Sequence, residues 1–276
     1  YYASRGFGDV YKRQLYNTVD SLIVGNFLGS SALAAVSSSG SLIFMLIGFL
    51  SGISAGAGVI VARFFGAGDE KNLQRAVHTT VAFGLVAGVL MTGVGVALSP
   101  QILRWMDTPE SVMRESVTYL QIYFAGSLGF VMYNVLVGIL QAVGDSRHPL
   151  YYLIVSSVIN LVLDLLFITG FHTGVGGAAV ATVISQIVSA LLCFWQLLRT
   201  KESYGLKIRK IRFDKGILVQ IIKIGLPSGV QNSIIAFANV IVQSNINAFG
   251  EMAMAGYGAY TKDFPPPENG PALRSP

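Results

Sequence analysis

Of 276 residues 53% are hydrophobic and 12% charged, with a mean hydropathy of +0.60, a composition that excludes an ordinary water-soluble domain of this length. The formal charge of +5 does not point to nucleic acid, because no basic helix interleaved with aromatics accompanies it. A single cysteine, Cys193, excludes an internal disulfide, so the chain reads as an all-α polytopic membrane protein whose first partner is the lipid bilayer.

Both ends look foreign to that pattern. Residues 1–14 (YYASRGFGDVYKRQ) have no initiator Met and no signal-peptide order, and residues 263–276 form a Pro-rich polar tail. Between them, residues 21–62 carry no charge, too long a run for one span, and the turn-like Gly29, Ser30 and Ser31 divide it. This predicts a first helix over 15–28, short of the ~20 residues a span needs as though its cytoplasmic half were missing, and a second over about 33–62.

A third helix is predicted over 76–103, between Arg75 and Arg104, and a fourth over 116–144. A fifth starts after Pro149, a favoured first-turn residue, and ends near Gly170. The Gly-rich GFHTGVGG leads into a sixth over 176–198. Residues 15–198 thus make one lobe of six helices, 199–223 a basic inter-lobe linker, and 224–262 the start of a second lobe. That second lobe opens with a seventh helix over 224–250, and 256–260 begin an eighth.

Loop charge orients this arrangement. Taken alternately, the loops place Arg63, Lys71, Arg75, Arg147, Arg199, Lys201, Lys207, Arg209, Lys210, Arg212, Lys215 and Lys223 on one side, and only Arg104 and Arg114 on the other. The richer side is expected to be cytoplasmic, in a cytoplasmic membrane.

The fifth helix holds the strongest functional signal. Within YYLIVSSVINLVLDLLFI, Asn160 and Asp164 lie one turn apart on one face. A carboxylate at that depth costs at least ~2.5 kcal/mol to insert, so it is expected to face the protein interior or an aqueous cavity and to have a function. Its only acidic counterpart at membrane depth is Asp20. With ~1.5 Å of rise per residue, Asp20 lies roughly 13 Å below Gly29, and Asp164 and Thr182 lie roughly 9 Å below their outer helix ends. Tyr16 and Asn160 extend the same faces one turn deeper. Burial and mutual repulsion favour a proton on at least one of two such carboxyls, and the hydroxyl and amide groups of Tyr16, Asn160 and Thr182 suit either Na+ or hydrogen bonds to the neutral carboxyl. Beyond a proton or such a cation, these residues call for no cofactor.

Other polar or small residues have plainer readings. GFLSGISAGAG resembles small-residue helix packing. His78, His148 and His172 read as interfacial, and Asn134 and Gln186 as interhelical hydrogen-bond formers. An internal repeat is visible between GNFLGSSALAAVSSSG from Gly25 and INAFGEMAMAGYGAYT from Ile246, aligning Gly29 with Gly250, Leu33 with Met254 and Ala34 with Ala255. A parallel repeat of this kind predicts a substrate site between two lobes.

The linked motifs VDSLIVGNFLGSSALAAVS, AGVIVARFFGAGD, LQAVGDSRHP, INLVLDLLFI and GVGGAAVATVISQ are together similar to the multidrug and toxic compound extrusion (MATE) transporters, over residues 15–260. The resemblance implies a twelve-helix fold of two six-helix lobes, of which this chain holds the amino-terminal one, its carboxy-terminal partner lobe being missing. It also implies secondary active efflux of drug-like, often cationic compounds in exchange for H+ or Na+. The family's amino-lobe polar cluster falls on Tyr16, Asp20, Asn160, Asp164 and Thr182. The acidic residue that the NorM-type branch carries in the seventh helix is Ile235 here, so the DinF-type branch is the better match. A lipid-linked precursor flippase of related fold is a rival, but no span carries the arginine cluster expected of one. An intramembrane aspartyl enzyme is another, but no catalytic motif accompanies the two aspartates.

Overall fold

The computed structural model describes residues 30–263, and every regular element among them is helical. The elements are α1 (Ser30–Gly66), α2 (Glu70–Trp105), α3 (Glu110–Ala125), α4 (Ser127–Ala142) and α5 (Arg147–Leu165), which continues as a π-helical turn (Leu166–Gly170). Then follow α6 (Gly174–Arg199), a 3-10 turn (Ile208–Lys210), α7 (Lys215–Asn247) and α8 (Glu251–Asp263). Five of these helices are long and apolar enough to cross a bilayer, and α3 with α4 are so only when taken together as a bent pair. The predicted first helix, with Tyr16 and Asp20, lies outside the described residues.

The outer surface confirms the membrane setting. Val89, Leu90, Val94, Val158, Val162, Leu191 and Ile234 are each more than half exposed, which only a hydrocarbon surround tolerates in such number. Inside, Ile60, Leu73, Leu136, Ile139, Leu197 and Ile221 close one core, and Leu103, Tyr119, Leu120, Phe124 and Ala179 close a second. The two sit toward opposite ends of the helices.

Boundaries differ from expectation where tertiary contacts decide them. Helix α2 starts at Glu70, not near residue 76, because Asp69 accepts the Asn72 N–H at 3.1 Å and caps it. The predicted fourth helix is not one rod: it bends by 49° between α3 and α4. At the break Gly126 lies against Val183 of α6, and a methyl there would overlap the Val183 side chain. Helix α7 starts at Lys215, so the linker ends at Asp214 rather than at residue 223. Asp214 caps α7 by accepting the Ile217 N–H at 3.1 Å, and Ile217 and Ile221 are buried, which brings these basic turns into the helix.

Two contacts join α1 to α7 and α8. Gly48, Gly52 and Gly56 of α1 form a ridge at every fourth residue, and Gly225 and Gly229 of α7 lie against it. A methyl on Gly52 would overlap the Gly229 backbone, and one on Gly229 would stand 2.9 Å from the Phe49 carbonyl oxygen. The sequence's small-residue stretch is thus a helix crossing with backbones in contact. At the other end, Ala34 and Ala35 share one buried cluster with Met254 and Ala255, and the Ser31 hydroxyl bonds Glu251. Two of the pairs aligned in the sequence, Leu33 with Met254 and Ala34 with Ala255, meet in this cluster.

Candidate functional site: a buried polar stripe on an inverted helix

Helix α5 buries Ser156, Asn160 and Asp164, with Ile168 in the π turn continuing the row. The spacing of four puts them on one face. Asn160 and Asp164 are each 1% exposed, whereas Val155, Val158, Leu161, Val162 and Leu165 stand out into the surround. A helix with its polar stripe inward and its apolar faces outward is the reverse of one in a water-soluble protein. Helix α5 packs against α6, which carries Thr182, half-buried, its hydroxyl donating to the Ala178 carbonyl at 3.0 Å. The Ser156 and Ser157 hydroxyls donate to the Leu153 carbonyl at 3.0 and 2.8 Å and so satisfy themselves on their own helix.

The structure thus brings Asn160 and Asp164 onto one buried stripe and places Thr182 on the neighbouring helix. Tyr16 and Asp20 lie outside the described residues. Carboxylate, amide and hydroxyl oxygens are hard donors that fit Na+ as well as a proton. Among the described residues no group of three or more His, Cys, Asp or Glu gathers as a transition-metal site would require.

Sequence reasoning missed the π turn, which begins two residues past Asp164. The Phe171 N–H reaches the Leu166 carbonyl at 3.0 Å, and the Thr173 hydroxyl donates to the Phe167 carbonyl at 2.8 Å. The chain then turns through His172 at φ 52 and Gly174 at φ 65. A π turn widens the helix locally and recurs at functional sites. Thr169 and Thr173, whose hydroxyls compete for helix carbonyls, were the only local signal.

A second polar cluster closes the end that carries the 106–109 and 248–250 turns. Gln243 and Asn247, each 1% exposed, are linked by the Gln243 amide donating to Asn247 Oδ1 at 2.9 Å. The Asn247 amide donates to the Met106 carbonyl at 2.9 Å and to the Ser38 hydroxyl at 3.3 Å, and Ser38 meets Thr108 at 3.2 Å. This network ties α7 to α1 and to the α2–α3 turn. Its members are too far apart in sequence for any motif to show.

At the opposite end the connection 200–214 folds back on α2. His78 is not interfacial as predicted: it is 3% exposed, its Nε2 accepting the Lys207 N–H at 3.0 Å. Arg75 pairs with Asp214. The Ile217 N–H first, and Arg75 after it, hold the Asp214 carboxyl below its usual 3.8. Asn134 donates within its own helix, to the Phe130 carbonyl at 2.8 Å, rather than across helices, and Gln186 Oε1 has no hydrogen-bond partner among the described residues.

Comparison with known proteins gives a consistent result. The family model described as MatE matches residues 13–166. The chain is 35% identical over 247 residues to the probable multidrug resistance protein YoeA of Bacillus subtilis (strain 168), covering 87% of this chain and 53% of that protein. Its fold resembles the inward-facing conformation of a multidrug resistance MATE family transporter of the MOP superfamily, with a TM-score of 0.82 and 28% identity over 89% of this chain and 56% of that one. The MATE multidrug transporter DinF-BH gives a TM-score of 0.84 at 23% identity, over 90% of this chain and 56% of that one, a likeness of fold alone. The chain spans about half the length of the curated relatives it matches.

Proposed function

Because the chain belongs to the MatE family, we propose that it supplies the amino-terminal lobe of a secondary active multidrug efflux antiporter. The two-lobed protein exports drug-like, often cationic compounds in exchange for H+ or Na+. It sits in a cytoplasmic membrane with its basic loops inside and performs no enzymatic step. The observation that carries this reading is Asp164, 1% exposed beside Asn160 on a helix whose other faces are apolar and exposed. An ionisable side chain at such a place marks a functional site by default, given what it costs to insert.

In this reading Asp164 and Asp20 take up the coupling ion together, with Tyr16, Asn160 and Thr182 supplying the remaining polar contacts. Tyr16 and Asp20 are assigned from sequence, as is the DinF-type branch, which rests on Ile235. Ion binding removes net charge from a low-dielectric cavity and so favours a different arrangement of the lobe. It drives transport only through its different affinity for the two arrangements. In this reading the buried network of Asn247, Ser38 and Met106 ties α7 to α1 and to the α2–α3 turn at one end of the lobe.

The test uses the two-lobed protein in proteoliposomes loaded with a fluorescent cationic dye, under an imposed proton gradient and separately a sodium gradient. Asp164→Asn and Asp20→Asn are each expected to abolish gradient-driven movement while leaving the protein folded, and the gradient that had driven it names the ion. Unchanged transport in both variants would reduce the aspartates to structural groups.

A further inference from the structure

The connection between α6 and α7 carries Lys201, Lys207, Arg209, Lys210 and Arg212, with Lys215 opening α7, against two acids, Glu202 and Asp214. Asp214 is already taken by Arg75, so most of this positive charge is uncompensated. The segment is nonetheless held rigidly. The Gln74 amide donates to the Ser203 and Gly205 carbonyls, His78 accepts from Lys207, and Thr79 accepts the Asp214 N–H at 3.1 Å. Leu206 is buried beneath it. The backbone is pinned to the bundle while the cationic side chains stand exposed.

Its height is set by its neighbours. On the α6 side the Arg199 guanidinium lies 5.1 Å over the Trp195 ring, and Trp195 is half exposed, an aromatic and cation pairing typical of the bilayer boundary. On the α7 side the exposed apolar surface starts at Val219, one turn past Lys215. Within the segment Ile208 and Phe213 are 60% and 45% exposed, apolar groups among cations that water would not favour but an acyl boundary would. A cavity of about 490 Å³ opens here between Lys201, Lys207, Lys210 and Ser203, with Glu70 and Glu202 also on its wall.

We propose that residues 201–215 form a docking ledge for anionic phospholipid of the phosphatidylglycerol type. The lipid phosphate sits among Lys201, Lys207 and Lys210, its headgroup hydroxyls face Glu70 and Glu202, and Ile208 and Phe213 enter the acyl boundary. The three lysines outnumber the two acids on the cavity wall, so the site stays cationic and favours an anionic headgroup over a zwitterionic one. The ledge rests on the membrane-spanning fold and not on the transport reading, so either can fail without the other.

The test is native mass spectrometry of the whole chain released from nanodiscs of mixed phosphatidylglycerol and phosphatidylcholine, reading the ratio of the two lipids retained. From the usual worth of a basic residue at an anionic surface, the parent should retain phosphatidylglycerol in about tenfold or greater excess. The joint variant Lys207→Gln, Arg209→Gln, Lys210→Gln, Arg212→Gln should fall to near parity. Arg104→Gln with Arg114→Gln, at the other end of the molecule, should leave the excess unchanged. Ile208→Ser with Phe213→Ser should weaken retention at constant charge, which also tests the ledge if the four-site variant does not fold. A parent with no lipid preference, a folded four-site variant that keeps it, or displacement of the lipid by inorganic phosphate would each overturn the proposal.

Discussion

Gly52→Ala puts the crossing of α1 and α7 to a direct test. The added methyl would overlap the backbone nitrogen and Cα of Gly229, and the atoms in its way are main chain of another helix, not the end of a flexible side chain. Relief requires α1 and α7 to separate, which also loosens the contacts of Gly48 with Asn232 and of Gly56 with Gly225. Such overpacking costs typically ~1–3 kcal/mol, while alanine returns up to ~1 kcal/mol of helix propensity. With backbone as the obstacle the upper part of the range applies, for a net loss of about 2 kcal/mol. Gly93 of α2 is the control, because a methyl there meets nothing within 4 Å, so Gly93→Ala should gain up to ~1 kcal/mol from the same chemistry. Thermal unfolding in detergent, followed by circular dichroism, should show Gly52→Ala melting several degrees below the parent and Gly93→Ala at or above it. A Gly52→Ala protein as stable as the parent, or a Gly93→Ala protein destabilised as much, would refute the close crossing.

Further outcomes follow from the two ends of the bundle. Asn247→Ala removes the donors to Met106 and Ser38 and strands buried acceptors, which costs ~1–3 kcal/mol. That end of the bundle should loosen, so maleimide labelling of a cysteine placed at Ala35, fully buried here, should speed up several-fold against a background of buried Cys193. An unchanged rate would show that the network does not hold that end. Asp214→Ala removes the α7 cap, worth ~1 kcal/mol, together with the pairing to Arg75. Because the folded carboxyl titrates below 3.8, its contribution is fully present above that value and is lost as pH falls through the lowered one. The parent and Asp214→Ala should therefore differ by a constant amount from neutral pH down to about 4 and converge below it, and a gap that persists in acid would contradict the carboxylate's role.

The sequence by itself determined that the chain is a helical membrane protein and where most of its spans lie. In hydrocarbon each backbone polar group must be satisfied within its own helix, so charge-free runs such as residues 21–62 report spans locally. It also put Asn160 and Asp164 on one face, because four residues make about one turn, and the expectation that this face is buried holds. Tertiary structure alone decided the rest. The break at Gly126 depends on Val183 of α6, 57 positions later. The start of α7 depends on Asp214, whose carboxylate is oriented by Arg75 on α2. His78 is buried only because the 200–214 connection folds back over it, and Asn247 finds its partners on α1 and in the α2–α3 turn. Each of these is a contact between segments far apart in the chain, and no local pattern of residue types encodes which distant surface will arrive.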